Sequence, residues 1–176
     1  MKTLVLIFHP NMGQSVINKR WKQELEKFPD KYVVRDLHAL YPDEKIDVRA
    51  EQQIMEEFDK IVFQFPLYWF NCPPFLKKYV DEVLTYGWAY GSKSGYKLSN
   101  KIIGFAVSVG ISEAEYGPNG QYKYTIEELL RPFEVTILYI KATYGSFFAY
   151  YDIEINSTEE WIERSIQPFT QYIDGL

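Results

Sequence analysis

One short continuous apolar run, Leu4 to Phe8, and two mostly apolar ones, Ile61 to Phe65 and Ile102 to Val109, are separated by stretches whose apolar residues recur at helical spacing. A run of that length suits a strand covered on both faces, and helices on either side supply the cover. After Ser15, the residues Ile17, Trp21, Leu25 and Phe28 form one helical stripe and leave Lys19, Arg20, Lys22 and Glu24 for solvent. Tyr32, Val33 and Val34 predict a second strand within Lys31 to Leu37, and Asp47 is placed to cap a helix carrying Ile54, Met55 and Phe58. Pro66 halts the third strand. Pro73-Pro74 then opens a helix whose broad face holds Phe75, Leu76, Tyr79, Val80, Val83 and Leu84. Thr85 to Asn100 reads as a long irregular connection, and Lys141 to Phe148 as the fifth strand. Capping boxes at Thr125-Ile126-Glu127-Glu128 and Ser157-Thr158-Glu159-Glu160 open the last two helices. Pro132 is expected to bend or interrupt the first of these, and Pro168 sits awkwardly in the second.

Five strands alternating with five helices predict an α/β three-layer sandwich, and right-handed crossovers leave few topologies for a parallel sheet. The strand order 2-1-3-4-5 fits best, with residues 1–176 forming one domain. The 19 basic and 24 acidic residues give a net charge of −5, without the basic footprint of a nucleic-acid or anionic-membrane binder. The single cysteine, Cys72, forms no internal disulfide, and the N-terminal apolar run is too short for a signal core or a membrane span. A cytoplasmic protein is expected. Aromatic residues, 15 Tyr, 12 Phe and 4 Trp, are more than a core of this size buries easily, so some should line a site or an interface.

In that strand order the chain switches direction between strands 1 and 3, which places a ligand above residues 9–15 and 66–72, with the loop after strand 4 closing a third side. The first loop offers backbone N–H groups at a helix start, a phosphate site in outline. The plainer alternative is that Ser15 caps the helix and His9 braces the turn. In the second loop Tyr68, Trp69 and Phe70 would stack on a flat heterocycle, or else pack under a neighbouring loop. No G-x-G-x-x-G or Walker A pattern is present, and two histidines with one cysteine cannot build the usual zinc sites.

Phe63-Gln64-Phe65-Pro66-Leu67-Tyr68-Trp69-Phe70, then Pro73-Pro74-x-Leu76-Lys77 and Gly87-Trp88-Ala89-Tyr90-Gly91, resemble the NAD(P)H:quinone oxidoreductases of the flavodoxin-like superfamily. The likeness is to their short bacterial form, which includes the ancillary oxidoreductase of glutathione-gated potassium efflux. His9-Pro10 with Ser15 and Asn18, Leu40-Tyr41-Pro42 before Ile46-Asp47, and Leu129-Leu130-Arg131-Pro132 before Thr136 fit in order and spacing. The resemblance implies a flavodoxin-like fold and ping-pong two-electron reduction of quinones or similar electrophiles by NADH or NADPH. By position, His9, Ser15, Ile17 and Asn18 match the flavin phosphate and ribityl segment. Pro66, Leu67, Tyr68, Trp69 and Phe70 match the loop against the isoalloxazine, and Ser108, Val109, Gly110 and Ile111 the loop at its pyrimidine edge. The family often has Thr-Thr-Gly-Gly in that last loop, so a side-chain donor and a flexible glycine are missing here. Tyr116 matches a tyrosine beside the nicotinamide or quinone, and Tyr122 stands where larger relatives carry a histidine. The chain lacks the C-terminal extension of the longer members, which fits FMN better than FAD.

The resemblance also implies a homodimer, for which Trp88, Tyr90 and Tyr96 are the candidate contacts. Two other readings stay open: a flavin-containing regulatory subunit docking on a potassium-efflux antiporter, and an azo- or nitroreductase.

Overall fold

The computed structural model describes residues 2–91 and 95–176 of the 176-residue chain. Its parallel sheet has the order β2-β1-β3-β4-β5, the predicted flavodoxin-like arrangement. The strands are β1 (Thr3–Ile7), β2 (Tyr32–Asp36), β3 (Lys60–Pro66), β4 (Ile102–Ser108) and β5 (Thr143–Tyr150). Alternation along the central strands separates two cores. Leu4, Leu6 and Phe8 face the side holding α4 (Pro74–Val83) and α5 (Ile126–Tyr139), where Phe75, Leu76, Tyr79, Leu130 and Phe133 pack. Val5 and Ile7 face the other side, against Ile17, Trp21 and Leu25 of α1 (Ile17–Glu26) and against Phe169 and Ile173.

Several boundaries differ from the sequence reading, each for a local reason. The second strand ends at Asp36, whose carboxylate accepts from the Ala39 amide at 3.3 Å and starts a short helix, α2 (Leu37–Leu40). His38 therefore lies in a helical turn, its ring 4.7 Å from that of Phe75. Asp47 caps α3 (Val48–Glu56) as predicted. Pro66 is the last residue of β3 and does not shorten it. The capping box at Thr125 is present, and α5 runs unbroken through Pro132.

The second box is misplaced by one residue. Thr158, not Ser157, caps α6 (Glu159–Arg164) by accepting from the Trp161 amide. A second helix, α7 (Ile166–Gly175), restarts at the buried Ser165, whose hydroxyl accepts from the Trp21 indole at 2.8 Å. This break puts Pro168 in a first helical turn, where a missing N–H costs nothing.

The connection 85–100 includes residues 92–94, which lie outside the described residues. Trp88 within it is a core residue, 8% exposed, with its indole N–H donating to Glu56 at 2.7 Å. Burial removes it from the interface role expected of it. Tyr90 and Tyr96 keep half-exposed rings, the latter under the Lys141 ammonium at 3.8 Å. Among the described residues no helix is long and apolar enough to cross a membrane.

Candidate functional site

The carboxyl ends of β1, β3 and β4 open onto two grooves of about 340 and about 440 Å³. Both are lined by Leu67, Tyr68, Gly110 and Glu154, so they form one continuous cleft. Its floor at the first end is polar. The Asn18 amide donates to the Ser108 hydroxyl at 2.8 Å, while its oxygen accepts from Gln64 at 3.1 Å. Asn18 and Ser108 are buried, and both line the first groove with Ser15, Ile17 and Pro66. Ser15 does not cap α1 in the usual sense. Its hydroxyl accepts from the Lys19 amide at 3.3 Å, and the N-cap residue, Val16, supplies no side-chain acceptor. The first turn of α1 thus presents unsatisfied amides and the positive end of its dipole toward the cleft.

His9 stands beside this helix end. Its Nδ1 accepts from the Asn11 amide at 3.2 Å, which fixes the tautomer with hydrogen on Nε2. Burial, followed by the neighbouring His38, lowers its pKa. The ring is therefore neutral at pH 7 in this state.

The other end is aromatic. Tyr68 and Asn71 exchange both backbone hydrogen bonds at 2.9 Å, closing a two-residue turn over Trp69 and Phe70. Both central residues have positive φ, 48° and 60°, the pattern of a type I′ turn that glycine or asparagine normally fills. Holding two bulky aromatics there costs on the order of 1–3 kcal/mol per residue. Trp69 gains no packing in return, since it is 94% exposed. Phe70 instead leans on Tyr122, ring centroids 4.9 Å apart, and Tyr122 lies 5.3 Å from Tyr116. Tyr116 lines the cleft, and Tyr122 packs between it and Phe70. Burial, then Tyr122 and Glu154, raises the Tyr116 pKa above its ordinary value and keeps the phenol protonated.

The third side is the loop after β4. Val109 turns its side chain wholly into the core and spends its amide on the Tyr150 carbonyl at 2.8 Å, so neither group faces the cleft. Of the expected quartet 108–111, Ser108, Gly110 and Ile111 line it. Gly110 lies directly under the Glu154 side chain: a Cβ there would lie 2.5 Å from the carboxylate, which would have to swing aside.

Two residues were missed at the sequence level. Gln64 is fully buried and donates to both oxygens of Asn18, a polar side chain inside a strand that reads as apolar. That mismatch was the available signal. Glu154 reaches the cleft because Asp152, Ile153 and Glu154 donate backbone hydrogen bonds to Ile111, Val109 and Gly110. Nothing in the sequence marks that pairing. Burial pushes the Cys72 thiol pKa up, the opposite of what favours a reactive thiolate.

The Flavodoxin_2 family model, described as a flavodoxin-like fold, matches residues 1–173. General stress protein 14 of Bacillus subtilis is 48% identical over 98% of this chain and 97% of its own. The uncharacterized NAD(P)H oxidoreductase YrkL of the same organism is 42% identical, covering 98% of each. The glutathione-regulated potassium-efflux system ancillary protein KefG of Cronobacter sakazakii is 40% identical over 77% of this chain and 72% of its own. Among solved structures, general stress protein 14 of Treponema denticola in complex with FMN superposes with a TM-score of 0.93 at 44% identity, covering 99% of each chain. An NADPH-quinone reductase from P. pentosaceus superposes at 0.86 with 28% identity, over 100% of this chain and 99% of its own.

Proposed function

The chain belongs to the Flavodoxin_2 family, and on that premise we propose that it is an NAD(P)H-dependent flavoenzyme that reduces quinones or similar flat electrophiles through bound FMN. One observation carries the reading. A single cleft joins an uncapped helix start, suited to a phosphate, to an exposed and strained aromatic turn, suited to a planar ring system. The FMN complex of a 44% identical neighbour and the NAD(P)H oxidoreductase relatives support the same assignment. When bound, FMN would supply two-electron chemistry, taking reducing equivalents from the nicotinamide and passing them on in a separate, ping-pong half-reaction.

The protein's own groups have the tasks of binding, orientation and proton supply. His9, Ser15, Ile17 and Asn18 would hold the phosphate and ribityl chain, with Gln64 fixing the Asn18 amide. Pro66 to Phe70 would flank the isoalloxazine. At its pyrimidine edge the Ser108 hydroxyl and the backbone of Gly110 and Ile111 remain from the expected quartet, Val109 being turned away. Tyr116, kept protonated, would donate to the acceptor, with Tyr122 packed against its ring. A homodimer belongs to the same reading. The exposed Val135, Leu138 and Tyr139 on α5, together with Tyr86, form an apolar face in place of the buried Trp88.

The visible spectrum of the purified protein, as isolated and after adding FMN and desalting, followed by anaerobic NADH or NADPH, tests the proposal. Retained flavin that either nucleotide bleaches is the expected result; no retention would overturn the cleft assignment. Similarity to KefG supports a second reading, a flavin-containing subunit docking on a potassium-efflux antiporter. A stable complex with an antiporter that persists when flavin reduction is abolished would favour it. A panel of quinone, azo and nitro acceptors at equal concentration separates the enzymatic alternatives.

A further inference from the structure

The aromatic half of the cleft carries one formal charge, the carboxylate of Glu154. The same carboxylate also lines the first half, with His9, neutral at pH 7, and Tyr68. Among the described residues no lysine or arginine lines either half, and the Glu154 carboxylate has no hydrogen-bond or ion-pair partner. Its position is built rather than incidental. Backbone hydrogen bonds of 3.2, 3.2 and 3.0 Å clasp residues 152–154 to the loop after β4, and the side chain lies over Gly110, where even a methyl group would displace it. Tyr116 feels this charge, which contributes to its raised pKa.

We propose that Glu154 selects the acceptor by charge, so that the cleft takes neutral or cationic planar electrophiles and rejects anionic ones. This rests on the oxidoreductase reading above and names the substrate class of that same site. Glu154 is exposed, so it repels a like charge as a solvated group does, and no lysine or arginine lining the cleft offsets it. Stacking on the aromatic turn supplies affinity for any flat ring. The carboxylate then decides among rings that differ in their substituents.

The test uses the full chain saturated with FMN and oxidised, without nicotinamide, so that binding is read apart from turnover. Dissociation constants are measured by quenching of protein fluorescence for 1,4-naphthoquinone, its 2-sulfonate and a trimethylammonium-substituted naphthoquinone. The sulfonate is expected to bind about fivefold more weakly than the neutral quinone, a difference of about 1 kcal/mol, and the cation more tightly. Glu154→Gln should bring the sulfonate-to-neutral ratio toward one, and high salt should shift the wild-type ratio the same way. Equal ratios in wild type and variant would overturn the inference while leaving the oxidoreductase reading intact. Failure to retain FMN, or FMN that neither NADH nor NADPH bleaches, would overturn the reading on which it rests and the inference with it.

Discussion

The two ends of the cleft are built on opposite physical terms. At the polar end, Asn18, Gln64 and Ser108 are buried in a set of hydrogen bonds that joins α1, β3 and β4 and leaves the Gln64 amide oxygen without a partner among the described residues. At the aromatic end, Trp69 is almost fully exposed on a turn whose backbone favours glycine. The first arrangement serves folding and binding together, since losing a buried partner costs stability wherever it occurs. In the second, Phe70 packs on Tyr122, but Trp69 contributes nothing to folding that a glycine could not supply better. Strain held without packing at Trp69 is what the proposed stacking role would account for.

Breaking the polar end should therefore damage the fold. Asn18→Ala removes the donor to Ser108 and one of the two acceptors of Gln64. It should lower unfolding stability by about 1–3 kcal/mol, seen as a lower urea midpoint at unchanged slope, and FMN retention should fall with it. An unchanged midpoint would show that the network is not a structural element. Tyr116→Phe, at the aromatic end, should leave that midpoint in place yet slow acceptor reduction by about tenfold, equivalent to about 1.4 kcal/mol, while flavin reduction by NAD(P)H changes less. Equal slowing of both half-reactions in stopped flow would remove its proposed donor role.

Trp69 sharpens the contrast further. Trp69→Ala should stay within about 0.5 kcal/mol of the parent in stability, and Trp69→Gly should gain roughly 1 kcal/mol by relieving the positive φ. Both should hold FMN more weakly, read by equilibrium dialysis. A glycine variant that retains flavin as tightly as the parent would mean that the ring is not a stacking surface.

The same contrast explains what was legible in the sequence. Strand order, the two-sided core and the position of the cleft follow from hydrophobic period and crossover handedness, which depend on many residues at once and survive a local error. The aromatic turn was legible because three consecutive rings after a strand have no ordinary reason to be there. Features set by one long-range contact were not. Trp88 looks like an interface residue until Glu56 is seen to receive its N–H. Val109 looks like part of the site until its amide is found on Tyr150. The break between α6 and α7 depends on Ser165 meeting Trp21 across the sheet face, although Pro168 signalled that a single helix would be strained. Glu154 comes to the cleft only through a backbone clasp that no side-chain pattern encodes.

The smallest expected effect lies just outside the polar end, where His9 and His38 are both held below their ordinary pKa, chiefly by burial. His38 Nε2 is buried without a hydrogen-bond partner among the described residues, so protonation there gains no compensating bond. A histidine with a lowered native pKa takes up its proton later than it does in the unfolded chain. Its effect is therefore absent above about pH 6.5, and stability falls as the pH drops below that value toward the native pKa. His38→Gln, which keeps a polar neutral side chain beside Phe75, removes one of the two groups. The loss of stability between about pH 7.5 and about pH 5.5 should then be smaller in the variant than in the parent, measured as the shift in urea midpoint. FMN bound at the helix start should act in the opposite sense on His9, because a phosphate dianion favours the protonated ring. The acid-induced loss should accordingly shrink when FMN is present, and a loss that is the same with and without FMN would separate His9 from the phosphate.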